Sequence, residues 1–173
     1  MSGLRDLQRE EFDSFYKVLQ DSFPIKEYRS YKEQRELLDN SLYDIEVYEE
    51  RGVVKGYITS WKLDTFNFVE HLVVHSKARG KGVGTKILQS AKSKWKKPIY
   101  LEVDLPEDPI SRRRITFYER NGFVLNEYPY VQPPLVPGNP EIPLLIMTSH
   151  GKISEKDFQE FKRKIRGVVY LYG

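Results

Sequence analysis

The sequence predicts a mixed α+β domain, with a mostly antiparallel central sheet and flanking helices. Two strand-like runs at 43–50 and 53–63 meet at Arg51-Gly52, and a strand, a glycine cluster, an amphipathic helix and a further strand follow over 66–103. Amphipathic helical patterns flank both features. Hairpins come early and a βαβ unit sits in the middle, which favours a mixed sheet over a doubly wound one.

The elements follow in order. Asp6 is placed as N-cap of a first helix carrying Phe12, Phe15, Tyr16, Leu19 and Phe23 at helical spacing. Phe23-Pro24 stops it, and YKEQRELLDN at 31–40 reads as a short second helix. The alternation of YDIEVYEE and VVKGYITSWKL about Arg51-Gly52 is that of a hairpin. FNFVEHLVVH at 66–75 is the next strand. Val83, Ile87, Leu88, Ala91 and Trp95 mark one helix face, and Lys97-Pro98 ends it, because a residue before proline disfavours helical backbone.

IYLEV at 99–103 is a compact strand, and ISRRRITFYERNGF at 110–123 a helix with Ser111 at its N-cap and Gly122 at its end. A proline-dense loop at 128–143 precedes the strand LLIMTSH at 144–150. Ser154 to Asp157 resemble a capping box for a helix bearing Phe158, Phe161 and Ile165, closed by Gly167. VVYLY at 168–172 reads as a last strand on a sheet edge, either its own or that of a second copy, so a homodimer is one expectation. The division expected is a domain over 1–150 with a helix-and-strand extension over 151–173 packed on it.

Composition narrows the function. At 173 residues one domain is the default, and 39% hydrophobic residues with 12 Tyr and 9 Phe can fill a core, which argues against disorder. With 31% charged residues and no apolar run approaching the roughly 18 that span a bilayer, no membrane role is expected. The first twenty residues interleave charges and lack the apolar stretch of a signal peptide, and the absence of cysteine removes disulfides, thiolate metal sites and cysteine nucleophiles. Both suit a cytoplasmic protein, and no metal is expected. A net charge of +3 is too small to imply nucleic-acid binding, and Lys92, Lys94, Lys96 and Lys97 read as the solvated back of a helix.

The segment 68–91 is the most informative. Glycines at 80, 82 and 84 let backbone N–H groups turn toward one point, and a helix N-terminus stands behind them. With Arg79 and Lys81 alongside, this suits a diphosphate better than a turn that merely tightens a strand–helix junction. No register of GKGVGTK supplies a P-loop, and a dinucleotide fingerprint would need glycine where Thr85 stands and no residues 76–79 after the strand. A second group, FYERNGF at 117–123, places Tyr118 one turn before Gly122, where it serves either packing or chemistry.

Together these motifs resemble the acetyl-CoA-binding core of the GNAT superfamily of N-acetyltransferases, in its small bacterial type. R-G-K-G-V-G at 79–84 follows EHLVVHSKA and precedes FYERNGF; Arg79, Gly82 and Gly84 match the family's R/Q-x-x-G-x-G/A signature, and the element order fits residues 3–149. The resemblance implies a sheet with a splayed parallel strand pair and acetyl-CoA as cosubstrate. It also implies transfer of the acetyl group to a primary amine by direct attack in a ternary complex. A non-catalytic acyl-CoA-binding module of the same fold is the alternative.

Roles carry over by position. Backbone groups of Leu72, Val73 and Val74 would meet the pantetheine arm, with an N–H of Val73 or Val74 holding the oxyanion. The backbone of Arg79, Gly80, Lys81, Gly82, Val83, Gly84 and Thr85 would bind the diphosphate. Glu70 stands where relatives place the base and Tyr118 where they place the acid. Many members carry Asn seven residues before that tyrosine and a small residue four before it; this chain has Ser111 and Arg114 on the cofactor side. One of Arg112, Arg113 and Arg114 is expected at the 3′-phosphate. Glu70 could instead pair with Lys62 or Arg79, leaving His71 or His75 as base, and strict alternation puts Glu70, Leu72 and Val74 on one face. The acceptor, a small-molecule or protein amine, is expected along 23–35 and 126–142, where Tyr28, Tyr31, Tyr128 and Tyr130 would line a cleft with Lys26, Arg29 and Glu127.

Overall fold

A computed structural model describes residues 2–170. The chain divides into two compact units, Met1–Lys97 and Pro98–Gly173. The fold class is the expected mixed α+β, with antiparallel pairing throughout each unit.

The first unit contains β1 (Ser2–Asp6), α1 (Phe12–Ser22), α2 (Tyr31–Glu36), β2 (Tyr43–Glu50), β3 (Val53–Lys62), β4 (Asn67–Val74) and α3 (Val83–Trp95). The strands lie in the order β1-β2-β3-β4. Arg51 and Gly52 both adopt left-handed backbone, with φ of 52° and 78°, as a two-residue turn between twisted strands requires. Asp6 does not cap α1: it ends β1, opposite Glu46, and a 3-10 turn over Arg9–Glu11 leads into the helix. SGLRD lacks an alternating apolar pattern, so β1 is held by its ladder to β2 and by Arg5, whose guanidinium joins Glu11 at 2.8 Å and Glu49 at 3.1 Å. The second helix is shorter than 31–40, passing into a 3-10 turn at Leu37–Asp39.

Helix α1 buries Phe12, Phe15 and Leu19 completely and stops at Phe23 before Pro24. Helix α3 buries Val83, Ile87, Leu88 and Ala91 of the expected stripe, while Trp95 at its end is half-buried, its Nε1 donating to Glu46 at 2.8 Å. It lies close on the sheet because Gly56 has no side chain: a Cβ there would stand 2.5 Å from the Val73 carbonyl oxygen and 2.9 Å from Ile87 Cδ1.

The second unit contains β5 (Ile99–Asp104), α4 (Pro109–Arg120), β6 (Val124–Gln132), β7 (Ile142–Thr148) and α5 (Glu155–Val168), with strand order β5-β7-β6. Asp108, not Ser111, caps α4: its carboxylate accepts from the Ser111 N–H at 2.8 Å and Pro109 opens the helix. Strand β6 extends through Tyr128 to Gln132, so the loop at 128–143 is shorter than expected. Pro129 is tolerated there because the register slips between Asn126 and Tyr130 on a strand at the end of the sheet.

Ser154 caps α5 as expected, accepting from the Asp157 N–H at 3.1 Å. The helix does not close at Gly167. It continues through Val168, and the N–H groups of Val169 and Tyr170 both reach the Ile165 carbonyl, so 168–170 is not a strand. Positions 171–172 of that expected strand lie outside the described residues. Among the described residues no helix is long and apolar enough to cross a membrane.

Candidate functional site

The glycine cluster forms the junction between β4 and α3. Gly80 and Gly82 have left-handed backbone, with φ of 76° and 75°, and a Cβ on either would meet nothing within 4 Å. The loop over 79–82 is exposed, Val83 is buried, and Gly84 and Thr85 are half-buried. Gly82 is the N-cap of α3 and no side chain caps the helix; its first intrahelical bond runs from the Lys86 N–H to the Gly82 carbonyl. Open space over two left-handed glycines and a helix end without a side-chain cap together fit a diphosphate. Arg79 is tied back, donating to the Val74 carbonyl and to Ser22 Oγ, both at 3.2 Å, so its side chain braces the loop.

Upstream, β4 carries a bulge. Thr59 pairs with His71 and Ser60 with Val69, which leaves Glu70 as the extra residue. The bulge breaks the expected alternation: Glu70 and His71 both reach the segment after α1. Glu70 forms a two-pronged pair with Arg29, at 2.7 and 2.9 Å, with side chains 4% and 9% exposed. Trp61 Nε1 adds a long hydrogen bond of 3.4 Å to Glu70, and the Arg29 guanidinium lies over the Trp61 ring. Burial pushes the Glu70 carboxyl up, but the Arg29 charge and hydrogen bonds outweigh it and hold the group below the usual carboxylate range. Neither expected alternative partner is used: Lys62 pairs with Asp44, and Arg79 faces Val74 and Ser22.

His71 is 4% exposed, with its ring edge against Phe23. Its Nε2 lies 2.8 Å from the Glu27 carbonyl oxygen, which can only accept, so Nε2 carries the hydrogen and Nδ1 the lone pair. Nδ1 stands 3.7 Å from Glu70 Oε2. Burial lowers the imidazole pKa more than Glu70 raises it, so the ring is neutral near pH 7.

In the second unit, Tyr118 is half-buried on α4 with its ring against Phe117 and Phe123. Burial pushes its hydroxyl up to about 12, against a smaller downward pull from Arg114, so it is an O–H donor at neutral pH. Ser111 is buried and its hydroxyl donates to Asp108 at 2.9 Å, so its hydrogen is engaged within the α4 cap. Arg114 stands 3.6 Å from Asp104, and Arg112 donates to the Pro106 carbonyl at 3.4 Å.

The expected aromatic cleft does not form from Tyr128 and Tyr130. Tyr128 stacks on Phe158 at 4.8 Å, and Tyr130 is 5% exposed, its hydroxyl on Glu102 at 2.5 Å; both pack under α5. Tyr28 and Tyr31 pack edge-on against Tyr16. Arg29 as the partner of Glu70, Gly56 and the capping role of Asp108 escaped the sequence. Only Asp108, directly before Pro109, carried a local signal of its role.

A family profile described as an acetyltransferase (GNAT) domain matches residues 41–125. The solved structure of a GNAT-family protein from Bacteroides thetaiotaomicron superposes with a TM-score of 0.93 at 30% identity, covering 98% of this chain and 99% of that one. This chain belongs to the GNAT family of acetyltransferases. The GNAT match at 41–125 contains Glu70, the glycine loop and Tyr118, while α5 lies outside it. YjbC of Bacillus subtilis (strain 168), designated an acetyltransferase, is 36% identical over 113 residues; the match spans 64% of this chain and 56% of YjbC, little more than half that relative's length. An aminoglycoside 6'-N-acetyltransferase complexed with coenzyme A shares the GNAT fold at 18% identity, with a TM-score of 0.64 and coverage of 84% and 94%.

Proposed function

We propose that this GNAT chain transfers the acetyl group of acetyl-CoA to a primary amine by direct attack within a ternary complex. The observation that carries this is the α3 N-terminus, with its left-handed Gly82 N-cap, no side-chain cap and open space over Gly80 and Gly82. Backbone N–H groups over 79–85 then take the diphosphate, and those of Leu72, Val73 and Val74 take the pantetheine arm and the developing oxyanion. The coenzyme A bound in the aminoglycoside-acetylating neighbour supports this ligand.

An alkyl ammonium of pKa about 10.4 cannot attack until it loses a proton. Glu70 and His71, brought side by side by the bulge, are the proton acceptors put first, with His75 or a water chain as the alternative. The amine nitrogen forms the new C–N bond, the C–S bond breaks, and the Tyr118 O–H protonates the leaving thiolate. With no cysteine, a cysteinyl-acyl intermediate is impossible, which supports direct attack. Ser111 and Arg114 remain the α4 positions assigned to the cofactor side.

Calorimetric titration with acetyl-CoA, paired with thiol release against spermidine, an aminoglycoside and an N-terminal alanine peptide, tests the proposal. Wild type is expected to bind and to release thiol with at least one amine. Gly82→Asp should abolish binding, because a side chain and a like charge enter the diphosphate position and a left-handed backbone becomes strained. Unchanged affinity in that variant overturns the assignment of the site, and binding without thiol release supports the binding-only alternative.

A further inference from the structure

We propose that His71 Nδ1, rather than Glu70, is the atom that takes the proton from the acceptor amine, and that Glu70, clamped by Arg29, positions and stabilises the imidazolium so formed. The proposal rests on the acyl-transfer function above and assigns its base.

Three features of the first unit carry it. First, His71 Nδ1 is a buried acceptor without a hydrogen-bond donor among the described residues, a condition it shares there with Gln34 Oε1. An unmet buried acceptor costs free energy, and an N–H brought by a ligand or a water meets the need. Second, the tautomer is already the one required. The Glu27 carbonyl accepts from Nε2–H, which leaves the Nδ1 lone pair on the side of Glu70.

Third, Glu70 is poorly placed to act alone, since Arg29 holds both its oxygens, whereas Nδ1 of the equally buried His71 has no donor among the described residues. A carboxylate so held is a weak proton acceptor, whereas a neutral imidazole is closer in basicity to neutral pH. The groups facing His71 are Glu70 on its own strand, the Glu27 carbonyl and Arg29 from the segment between α1 and α2, and the Phe23 ring at the end of α1. Trp61 on β3 donates to Glu70, and Tyr43 on β2 senses the charges of both Glu70 and Arg29.

In the step, the ammonium N–H bond breaks and its proton goes to Nδ1, giving an imidazolium whose two N–H groups face Glu70 and the Glu27 carbonyl. The freed lone pair attacks the thioester carbon. After the thiolate departs with the Tyr118 proton, His71 returns its proton to solvent and Tyr118 regains one from it.

The test has two parts. Long-range ¹⁵N–¹H spectra of the free protein at pH 7 read the tautomer without an acceptor, so this part stands apart from the acyl-transfer function. A neutral Nε2–H ring is expected, and an Nδ1–H ring or an imidazolium overturns the proposal. The second part is the pH profile of kcat/KM for His71→Asn and Glu70→Gln with whichever of spermidine, the aminoglycoside or the alanine peptide wild type acetylates. Coenzyme A affinity by calorimetry serves as the check on folding.

His71→Asn is expected to lose about 10²–10⁴-fold near neutral pH, and to recover toward wild type above the amine pKa, where no base is needed. Glu70→Gln is expected to keep the rising limb but move it to lower pH, because removing the anion beside His71 lowers the imidazole pKa. Loss of the limb in Glu70→Gln, or a deficit in His71→Asn that is equal at every pH, overturns the proposal while leaving coenzyme A binding, and with it the acyl-transfer function, intact.

Discussion

At the scale of single residues, the Arg29–Glu70 pair has consequences for stability. Removing one partner of a buried ion pair leaves the other charge unsolvated, so Arg29→Met should cost about 3–5 kcal/mol at pH 7. The pH dependence follows from the depressed Glu70 pKa. In wild type the pair's contribution is complete above the unfolded carboxyl value of about 4.3 and is lost as pH falls through the lower folded value. In Arg29→Met desolvation, the largest influence on Glu70, is opposed only by His71 and the long Trp61 hydrogen bond, so the folded pKa rises above the unfolded one and the stability deficit shrinks as pH drops. Urea denaturation from pH 8 to pH 4 measures this, and a deficit independent of pH would show that Glu70 is not the group left unpaired. Tyr118→Phe removes only the O–H, so turnover should fall about 10²-fold with acetyl-CoA affinity little changed. With the hydroxyl raised to about 12, wild-type activity should show no falling limb from Tyr118 near the ordinary tyrosine value. A loss confined to cofactor affinity would make Tyr118 a packing residue. Tyr118 was singled out because a tyrosine one turn before a helix-ending glycine is a local pattern, while its acid role came from the family resemblance. The Arg29 pairing was not, because the partner of a buried carboxylate is chosen by the fold from among 28 Lys and Arg.

Secondary elements tell the same story through their ends. The β2–β3 hairpin, β4, α3 and β5 appear close to where periodicity and the Arg51-Gly52 turn place them. β1 was invisible because its five residues gain their stability from the ladder to β2 rather than from an apolar face of their own. The end of α5 was misplaced because glycine is the commonest stop signal after a helix. Here burial of Val169 and Tyr170, 4% and 7% exposed, carries the chain on past Gly167. Gly167 therefore sits in helical backbone with nothing within 4 Å of a Cβ position. Gly167→Ala should stabilise the protein by about 0.5–1 kcal/mol, since alanine loses less backbone freedom on entering a helix. Thermal denaturation checks this, and a destabilised variant would return Gly167 to the role of a left-handed cap.

Over the whole molecule, the C-terminal helix is a structural part of its unit. Phe158, Phe161 and Ile165 are at most 2% exposed, and Phe161 lies 5.4 Å from the Tyr100 ring and 5.7 Å from Tyr130. Tyr170 adds a hydroxyl hydrogen bond to Glu102 at 2.8 Å. Deleting residues 152–173 should therefore expose an aromatic face on the second unit and give a chain that aggregates or unfolds without a cooperative transition. Light scattering and circular dichroism on the truncated chain would show this, and a stable, well-folded monomer would demote α5 to an appendage. A helical 168 and the turn and bend at 169 and 170 also take the described part of 168–172 out of the strand expected to cover a sheet edge, its own or that of a second copy. What the sequence by itself determined was the fold class, most of the central elements, the glycine loop, and the strand and helix that carry Glu70 and Tyr118. All of these are written in signals within a few residues of one another: alternation, a helical stripe, a cap, a glycine that frees the backbone. Only the tertiary structure decided the bulge that sets Glu70 beside His71, the clamp from Arg29, the lone pair on Nδ1 and the close approach at Gly56. Each depends on which distant segment a strand meets, and burial then selects the partner, because a polar group taken from water must be matched by whatever the fold brings within reach.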